Sequence, residues 1–235
     1  MTHTARSFTG VLQWRPACTR EGRDHDMSTK FLWVTVVAMV AGLGSPAYPA
    51  PGLAERVREF TLGNGMQFLV VERHAAPTVG FAMYLRTGSS ADPAGRTGLA
   101  HLFEHLLFKG VAGGGGESLT EDEFRRLYRR HGAVGLNAFT THDDTYYIVS
   151  LPAGRAELWF ALESARLSRP SLPDLESERQ VVLEERRTRY DMNPLGRLRL
   201  ELYRVAFGTH PYGTPVIGLP EDLPKITDED AQAFY

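Results

Sequence analysis

Cysteine is nearly absent from this sequence, since Cys18 is the only one among 235 residues. A single cysteine permits neither an intrachain disulfide nor a cysteine-based zinc site, so any metal must be held by histidine, aspartate or glutamate. An excess of charge of one sign is also lacking, because 26 Lys and Arg face 28 Asp and Glu for a formal net charge of -2. This balance provides no basic field for nucleic acid, and no nucleic-acid partner is predicted.

A hydrophobic run long enough to span a membrane is missing as well. The apolar stretch 31–44 is shorter than the about 20 residues that a span needs. It follows a short basic start and precedes the small residues 45–47, a pattern typical of a secretory signal peptide at 27–47. We expect residues 1–26 to lie upstream of the actual start and residues 48–235 to be exported, to the periplasm or outside the cell. The alternatives are an uncleaved membrane anchor or a buried helix.

Turn signals divide the rest of the sequence into short strand and helix patterns. Gly63-Asn64-Gly65 separates two alternating segments and predicts a hairpin with a type I′ turn. Either Ser118 or Thr120 begins a helix with a capping-box pattern. The predicted strands are 59–62, 66–72, 79–86, 137–141 and 145–151, and the predicted helices are 97–109, 121–132, 154–168, 175–190, 195–207 and one from 227. This order predicts an α+β fold in which helices cover one face of a mainly antiparallel sheet.

One predicted helix carries two histidines and a glutamate in the order H-x-x-E-H, at His101, Glu104 and His105. Positions i and i+4 lie one turn apart on the same face of a helix, so both histidines can bind one ion. Glu104 lies on the same edge and can reach a water on that ion without binding the metal itself. In the contrasting interpretation both histidines are core residues with hydrogen-bond partners, an arrangement that is costly beside a glutamate.

A catalytic zinc site needs a third protein ligand, and a later helix supplies two candidate glutamates. Glu178 and Glu185 are seven residues apart, so they project from nearly one face of that helix. We expect Glu185 to bind the metal and Glu178 to lie beside a histidine that it orients by accepting a hydrogen bond. The predicted cofactor is one Zn²⁺ ion.

Several motifs together resemble the zinc peptidases of the pitrilysin, insulinase and mitochondrial processing peptidase family. They are GLAHLFEHLLFKG at 98–110, NAFTT at 137–141 ahead of TYY at 145–147, the paired glutamates of 178–185, and HPYGTPVIG at 210–218. The resemblance covers residues 54–235, nearly all of the expected mature chain. It implies a half-domain of the processing-peptidase type.

The resemblance also assigns roles to single residues. It makes His101, His105 and Glu185 the zinc ligands. It makes Glu104 the general base and Glu178 a supporting acidic residue. The implied activity is that of a zinc-dependent endopeptidase acting on peptides or unfolded proteins.

The same resemblance implies how a peptide substrate binds and which further domain completes the site. Asn137 and Ala138 fall on an edge strand that pairs with an extended peptide; without the family pattern, Asn137 fits a turn or strand start as well. Family members usually have a second, similar domain that adds an arginine and a tyrosine facing the zinc. We therefore expect residues 48–235 to be a truncated N-terminal domain that a second domain or partner subunit completes.

Two functions of other classes stay open beside the endopeptidase. One is a non-catalytic assembly subunit, although such relatives typically lose the metal motif, which is intact here. The other is a membrane-anchored protein that binds peptides at its edge strand without hydrolysis. His142 is interpreted as a surface or loop histidine, and His210 and Tyr212 as loop residues near the site with either a functional or a structural role.

Overall fold

The computed structural model describes residues 52–112, 118–172 and 175–235. The predicted signal peptide and the glycine run at 113–116 lie outside these ranges. The helices are α1 Leu53–Arg56, α2 Leu99–Leu106, α3 Glu121–Arg130, α4 Ala156–Ser168, α5 Leu175–Arg186, α6 Pro194–Phe207 and α7 Asp228–Phe234. The strands are β1 Val57–Thr61, β2 Gln67–Val71, β3 Thr78–Leu85, β4 Gly110–Val111, β5 Leu119–Thr120, β6 Val134–Thr140 and β7 Thr145–Pro152. The chain divides into two compact units between Glu72 and Arg73.

The first unit contains the predicted hairpin, in which β1 pairs with β2 in antiparallel register. The prediction of a type I′ turn is wrong. Leu62 accepts a hydrogen bond from the Gly65 N–H at 2.9 Å, and the Leu62 N–H donates to Met66 at 2.8 Å, which encloses a three-residue loop. Gly65 has a φ of 86°, the left-handed conformation that the last position of such a loop requires. The loop has one residue more than a type I′ turn because the reversal starts at Leu62 rather than Gly63.

The second unit contains a three-stranded antiparallel sheet in the order β3-β7-β6. Residues alternate along the central strand β7, so that Tyr147, Val149 and Leu151 are buried on one face. In a row across the sheet, Met83 and Ala138 are the partners of Tyr147 on either side. Because neighbouring buried residues on three strands face the same way, helices can cover that face with a continuous core.

The helices α2, α3, α4 and α5 form this cover. The core around Met83 and Tyr147 includes apolar residues of α2 and α5, and the core around Val149 and Leu151 includes residues of α3 and α4. The predicted α+β architecture is confirmed. Ser118 and Thr120 were both candidates for the N-cap of α3, and the structure uses Thr120. Its side chain accepts a hydrogen bond from the backbone N–H of Glu123 in a capping box.

A buried ion pair lies within the core. Arg166 is fully buried on α4 and pairs with Glu163, which also accepts a hydrogen bond from the Tyr128 hydroxyl at 2.5 Å. The Arg166 guanidinium lies 4.2 Å from the centre of the Tyr147 ring. The pair and the ring stacking offset the desolvation of a charge beneath the sheet. Among the described residues, no helix combines the length and apolar character needed to cross a membrane.

Candidate metal centre

The two histidines of the H-x-x-E-H motif lie on α2, one turn apart, as predicted. The ring centroids of His101 and His105 are 4.8 Å apart, and the ring planes are inclined by 72°. Among the described residues, the buried Nδ1 atom of His101 has no hydrogen-bond partner, which does not favour the interpretation of both histidines as hydrogen-bonded core residues. Buried polar atoms are normally satisfied, so His101 differs in this respect from a typical core histidine.

The start of α2 determines where these histidines point. The helix begins at Leu99 rather than at residue 97, because Gly98 has a φ of 89° and cannot belong to a right-handed helix. A Cβ atom at Gly98 would lie 2.8 Å from the Ile217 carbonyl oxygen. Asp92 accepts hydrogen bonds from the backbone N–H groups of Gly98 at 2.7 Å and Ala100 at 2.8 Å, which satisfies the first turn.

Glu185 on α5 reaches both histidines. Its Oε1 atom lies 3.8 Å from His101 Nε2, and its Oε2 atom lies 3.4 Å from His105 Nε2. The three candidate ligand atoms all lie within 4.8 Å of one another. Ligand atoms about 3.4 Å apart match the edge of a zinc tetrahedron with bonds of about 2.0–2.1 Å. Two imidazoles and a carboxylate with this spacing therefore fit a zinc ion that keeps one open position.

Burial and neighbouring charges place these ligands in different protonation states. Burial, followed by the charge of His105, lowers the pKa of His101 from 6.5 to about 4, so this ring is neutral at pH 7. Burial opposes a charge on His105, but the carboxylates of Glu185, Glu104 and Glu178 outweigh it and raise its pKa. For Glu185, burial is likewise outweighed by the two histidines and Arg189, which lower its pKa. A metal ion bound here would compete with protonation of His105.

Glu104 lies beside this cluster without belonging to the three-ligand set. Its side chain is 8% exposed and accepts a hydrogen bond from the Thr140 hydroxyl at 2.6 Å. Burial raises its pKa, although the Thr140 hydrogen bond acts in the opposite direction. A carboxylate with a raised pKa is suited to accept and return a proton near neutral pH. Thr140 was not identified from the sequence.

Glu178 lies next to His105, as predicted. Its Oε2 atom is 3.4 Å from His105 Nδ1, on the side of the ring away from Glu185. Its other oxygen pairs with Lys109 at 2.6 Å, and Lys109 also contacts Glu121 at 2.9 Å. A carboxylate on the far nitrogen of a ligating histidine fixes the ring orientation. Lys109, which holds that carboxylate, was not identified from the sequence.

The end of α5 differs from the predicted helix, which extended to residue 190. The α-helix ends at Arg186, and one π-helical turn follows over Arg187–Asp191. Arg189 in this turn contacts Glu185 at 2.6 Å. Single π-helical turns are frequent at functional sites because they turn side chains that a regular helix would direct elsewhere. Arg189 was also missed.

The strand that carries Asn137 and Ala138 lies beside the metal ligands. β6 is an edge of its sheet and pairs only with β7 within the described residues, so its other edge is open. It begins at Val134, three residues before the predicted start, and a bulge interrupts the pairing between Val134 and Asn137. Asn137 is exposed and Ala138 is buried, which follows the alternation of a strand.

A cleft of about 410 Å³ connects these elements. Its lining includes metal-site and strand residues and one face of α6: His105, Glu104, Glu185, Ala138, Arg199 and Tyr203. His142 also lines it and stacks between Tyr203, at 5.8 Å, and Tyr212, at 4.6 Å. His142, interpreted as a loop residue, therefore belongs to the cleft wall. Tyr212 supports that wall, and His210 accepts a hydrogen bond from the Tyr212 N–H at 3.2 Å.

An H-x-x-E-H helix, a glutamate from a second helix and an adjacent open strand edge define a half-domain of the metallopeptidase class. The match to a family model then makes the assignment specific. Residues 67–219 match the model described as insulinase, peptidase family M16. The chain belongs to this family.

Individual relatives agree with the assignment. Zinc protease PqqE of Helicobacter pylori is 32% identical over 178 residues, covering 74% of this chain and 39% of that protein. A protease from Helicobacter pylori has a crystal structure that matches with a TM-score of 0.70 at 31% identity, over 76% of this chain and 42% of that chain.

Two more distant crystal structures share the fold. A peptidase M16 inactive domain from Pseudomonas fluorescens has a TM-score of 0.68 at 24% identity, over 76% of this chain and 42% of that chain. The periplasmic protease PqqL from Escherichia coli has a TM-score of 0.68 at 23% identity, over 79% of this chain and 21% of that chain. The chain spans about two fifths of the length of the Helicobacter pylori relatives, at 39% and 42%.

Proposed function

We propose that this chain is the metal-binding half of a zinc-dependent endopeptidase that hydrolyses peptides or unfolded proteins. The observation that carries the proposal is the convergence of His101, His105 and Glu185, whose ligand atoms lie within 4.8 Å of one another beside the buried Glu104. Relatives that are named zinc proteases support the peptidase class.

In this proposal each side chain has one task. A bound zinc ion supplies a water of lowered pKa and a Lewis acid for the scissile carbonyl group. Glu104 accepts the proton of the attacking water and returns it to the leaving amine, for which its raised pKa is suited. Thr140 holds the Glu104 carboxylate in place through its hydroxyl hydrogen bond. Glu178 fixes the ring of His105 and does not take part in proton transfer.

The open edge of β6 binds the substrate backbone. A peptide that adds as a further strand at Asn137 and Ala138 is held extended, with its side chains alternating toward and away from the cleft. Strand pairing uses main-chain groups, so it accepts many sequences and requires an unfolded or extended segment. The proposal therefore assigns peptides or unfolded proteins, rather than folded ones, as substrates.

Hydrolysis of a mixed unfolded-peptide pool by the zinc-loaded 235-residue chain tests this function. Glu104→Gln should reduce the rate by about 10²-fold or more, because general-base catalysis contributes about 10²–10⁴-fold, and it should keep its zinc because the three ligands remain. Equal cleavage by wild type and Glu104→Gln would contradict the role of Glu104. Equal peptide binding by a wild type that neither retains zinc nor hydrolyses any peptide would instead favour a binding protein.

We further propose that residues 27–47 are a signal peptide and residues 48–235 an exported domain. The support comes from the basic, apolar and small-residue order of the segment and from the Escherichia coli fold relative PqqL, which is described as a periplasmic protease. A cleaved N-terminus after residue 47 in a periplasmic or secreted fraction would agree with this proposal.

The alternative function is that of an incomplete subunit, and one feature of α6 favours it. None of the residues of this 14-residue helix is buried. Its apolar stripe is exposed by 60–75% and consists of Leu195, Leu198, Leu202 and Val205. This spacing of three and four residues is that of a helix face packed against a partner.

We assign a second half-domain of the same family as the occupant of this apolar stripe. The relatives have more than half of their length beyond the matched region, and the other face of α6 lines the cleft. A domain that covers the stripe would therefore lie beside the cleft, because α6 contributes to both. In the hydrolysis experiment, full zinc loading without cleavage by wild type would indicate this incomplete state.

A further inference from the structure

The charges around the cleft are divided between its two sides. The carboxylates of Glu104 and Glu185 lie at the metal end, and α6 carries Arg199 on the cleft wall. Each cleft carboxylate has a partner: Glu104 accepts from Thr140, and Glu185 pairs with Arg189 at 2.6 Å. Both carboxylates at the metal end therefore have a polar partner within the chain.

Arg199 is arranged differently from the other arginine of the cleft. It is exposed, and within the described residues its guanidinium forms no ion pair. It contacts the Tyr203 ring, whose centre lies 5.7 Å from the guanidinium carbon. The next arginine along α6, Arg204, is by contrast paired with Glu201. A cation that faces a cleft without an internal partner is available to a charge on a bound molecule.

We propose that Arg199 makes this cleft select peptides with an acidic side chain close to the scissile bond. The inference rests on the proposed peptidase function and adds a substrate class to it. A strand paired with the edge of β6 directs alternate side chains toward the α6 wall. An aspartate or glutamate in that direction meets the Arg199 guanidinium, and the methylene groups of a glutamate can pack on Tyr203.

The size of the preference follows from the exposure of Arg199. Exposed ion pairs are weak and screened by salt, whereas charge-assisted hydrogen bonds in a partly closed cleft are stronger. We expect a preference for glutamate over glutamine of about 3- to 10-fold at the selected position, and a larger preference over lysine. The preference should shrink as salt concentration rises from about 0.05 to 0.5 M, because the Debye length falls.

The test uses fluorescent peptides that differ only in carrying Glu, Gln or Lys at each position around the scissile bond. Their affinities are measured with the zinc-loaded Glu104→Gln chain, which binds without cleaving, and kcat/KM is measured with wild type. Arg199→Gln should abolish the glutamate preference and Arg199→Glu should reverse it, mainly through affinity or KM. Arg197→Gln is the matched control, because Arg197 is exposed on the same helix and outside the cleft lining.

The binding and cleavage measurements separate the role of Arg199 from the proposed peptidase activity. An unchanged preference in Arg199→Gln, equal affinity for all three peptides, or no binding of any peptide overturns the inference. Charge-dependent binding that Arg199→Gln removes, without hydrolysis by wild type, supports the inference and counts against the complete endopeptidase. A loss of preference in Arg197→Gln as well would mean that the general charge of α6, rather than Arg199, selects the peptide.

Discussion

His101 and His105 are one helical turn apart, yet their surroundings push their protonation in opposite directions. His101 is 9% exposed and burial lowers its pKa to about 4, whereas carboxylates on two sides raise the pKa of His105. In the absence of metal the His101 imidazole is therefore neutral at pH 7, whereas the pKa of His105 lies above its usual value. Each can bind zinc once His105 has released its proton, which makes metal binding dependent on pH.

The lowered pKa of His101 predicts how the stability of the metal-free chain changes in acid. Between pH 6.5 and about 4 the unfolded chain takes up a proton at this residue and the folded chain does not, so the free energy of unfolding falls as the pH falls. The loss should reach about 3 kcal/mol, because each pKa unit corresponds to about 1.4 kcal/mol. Denaturant unfolding at several pH values in a chelator measures it.

The matched comparison is His101→Gln, which cannot titrate at this position. Titration of His105 does not mask this effect. Because the pKa of His105 is raised in the folded chain, its contribution to the free energy of unfolding is complete below about pH 6.5 and is lost as the pH rises above that value. The difference in free energy of unfolding between wild type and variant should therefore depend on pH between 6.5 and 4. Parallel curves for the two proteins would show that burial does not hold His101 neutral.

The residues that the sequence identified share a short-range pattern. His101, Glu104 and His105 are spaced for one helix face, and Glu178 and Glu185 for another, so periodicity alone relates them. Of the missed residues, Thr140 and Lys109 act across larger separations, whereas Arg189 is four positions from Glu185 and lies in the π-helical turn that was not predicted. Thr140 reaches Glu104 over 36 positions, and the Thr140 hydroxyl gives no periodic signal. The burial of Arg166 was also missed, because the Tyr147 and Phe108 rings that contact its guanidinium are distant in sequence.

At the scale of elements, the beginning of α2 depends on the left-handed conformation of Gly98. Gly98→Ala should lower the free energy of unfolding by about 2 kcal/mol or more, because a side chain at a φ of 89° is strained and its Cβ would meet the Ile217 carbonyl oxygen. Zinc affinity should fall as well, since a shift of α2 moves both histidines. Chemical denaturation and zinc titration measure the two effects.

Gly154→Ala is the control for this prediction. Gly154 has no atom within 4 Å of an added Cβ and lies outside the positive-φ region. Its replacement should leave stability equal or slightly higher, as expected for a Gly-to-Ala change in a compatible conformation. Equal stability of the two variants would mean that Gly98 does not determine where α2 begins.

The elements were predictable where hydrophobic periodicity was strong and less so where tertiary contacts set the boundary. The three strands of the β3-β7-β6 sheet and the helices α3, α4 and α6 occur where the pattern predicted them. The two-residue ladder of β4 and β5 was missed because such short strands have no alternation to detect. The π-helical turn after α5 was missed because its sequence continues a helical pattern.

At the scale of the whole molecule, the candidate metal centre joins two helices that are far apart in sequence, α2 and α5. Their packing through the core around Tyr147 brings the histidines to Glu185. The cleft adds the open edge of β6 and one face of α6, whose opposite face exposes the apolar stripe. The second unit therefore combines a candidate metal site with an exposed apolar surface that we propose a further domain covers.

The most direct test of the central claim is the zinc content of the 235-residue chain after zinc loading and desalting. Wild type should retain one zinc ion per chain, and Glu185→Gln should retain almost none because one of the three protein ligands is lost. Glu184→Gln is the matched control, since Glu184 is the preceding residue on α5 and pairs with Arg187 on the exposed surface. It should retain zinc like wild type. A full zinc ion in Glu185→Gln, or equal loss in Glu184→Gln, would contradict the proposed metal centre.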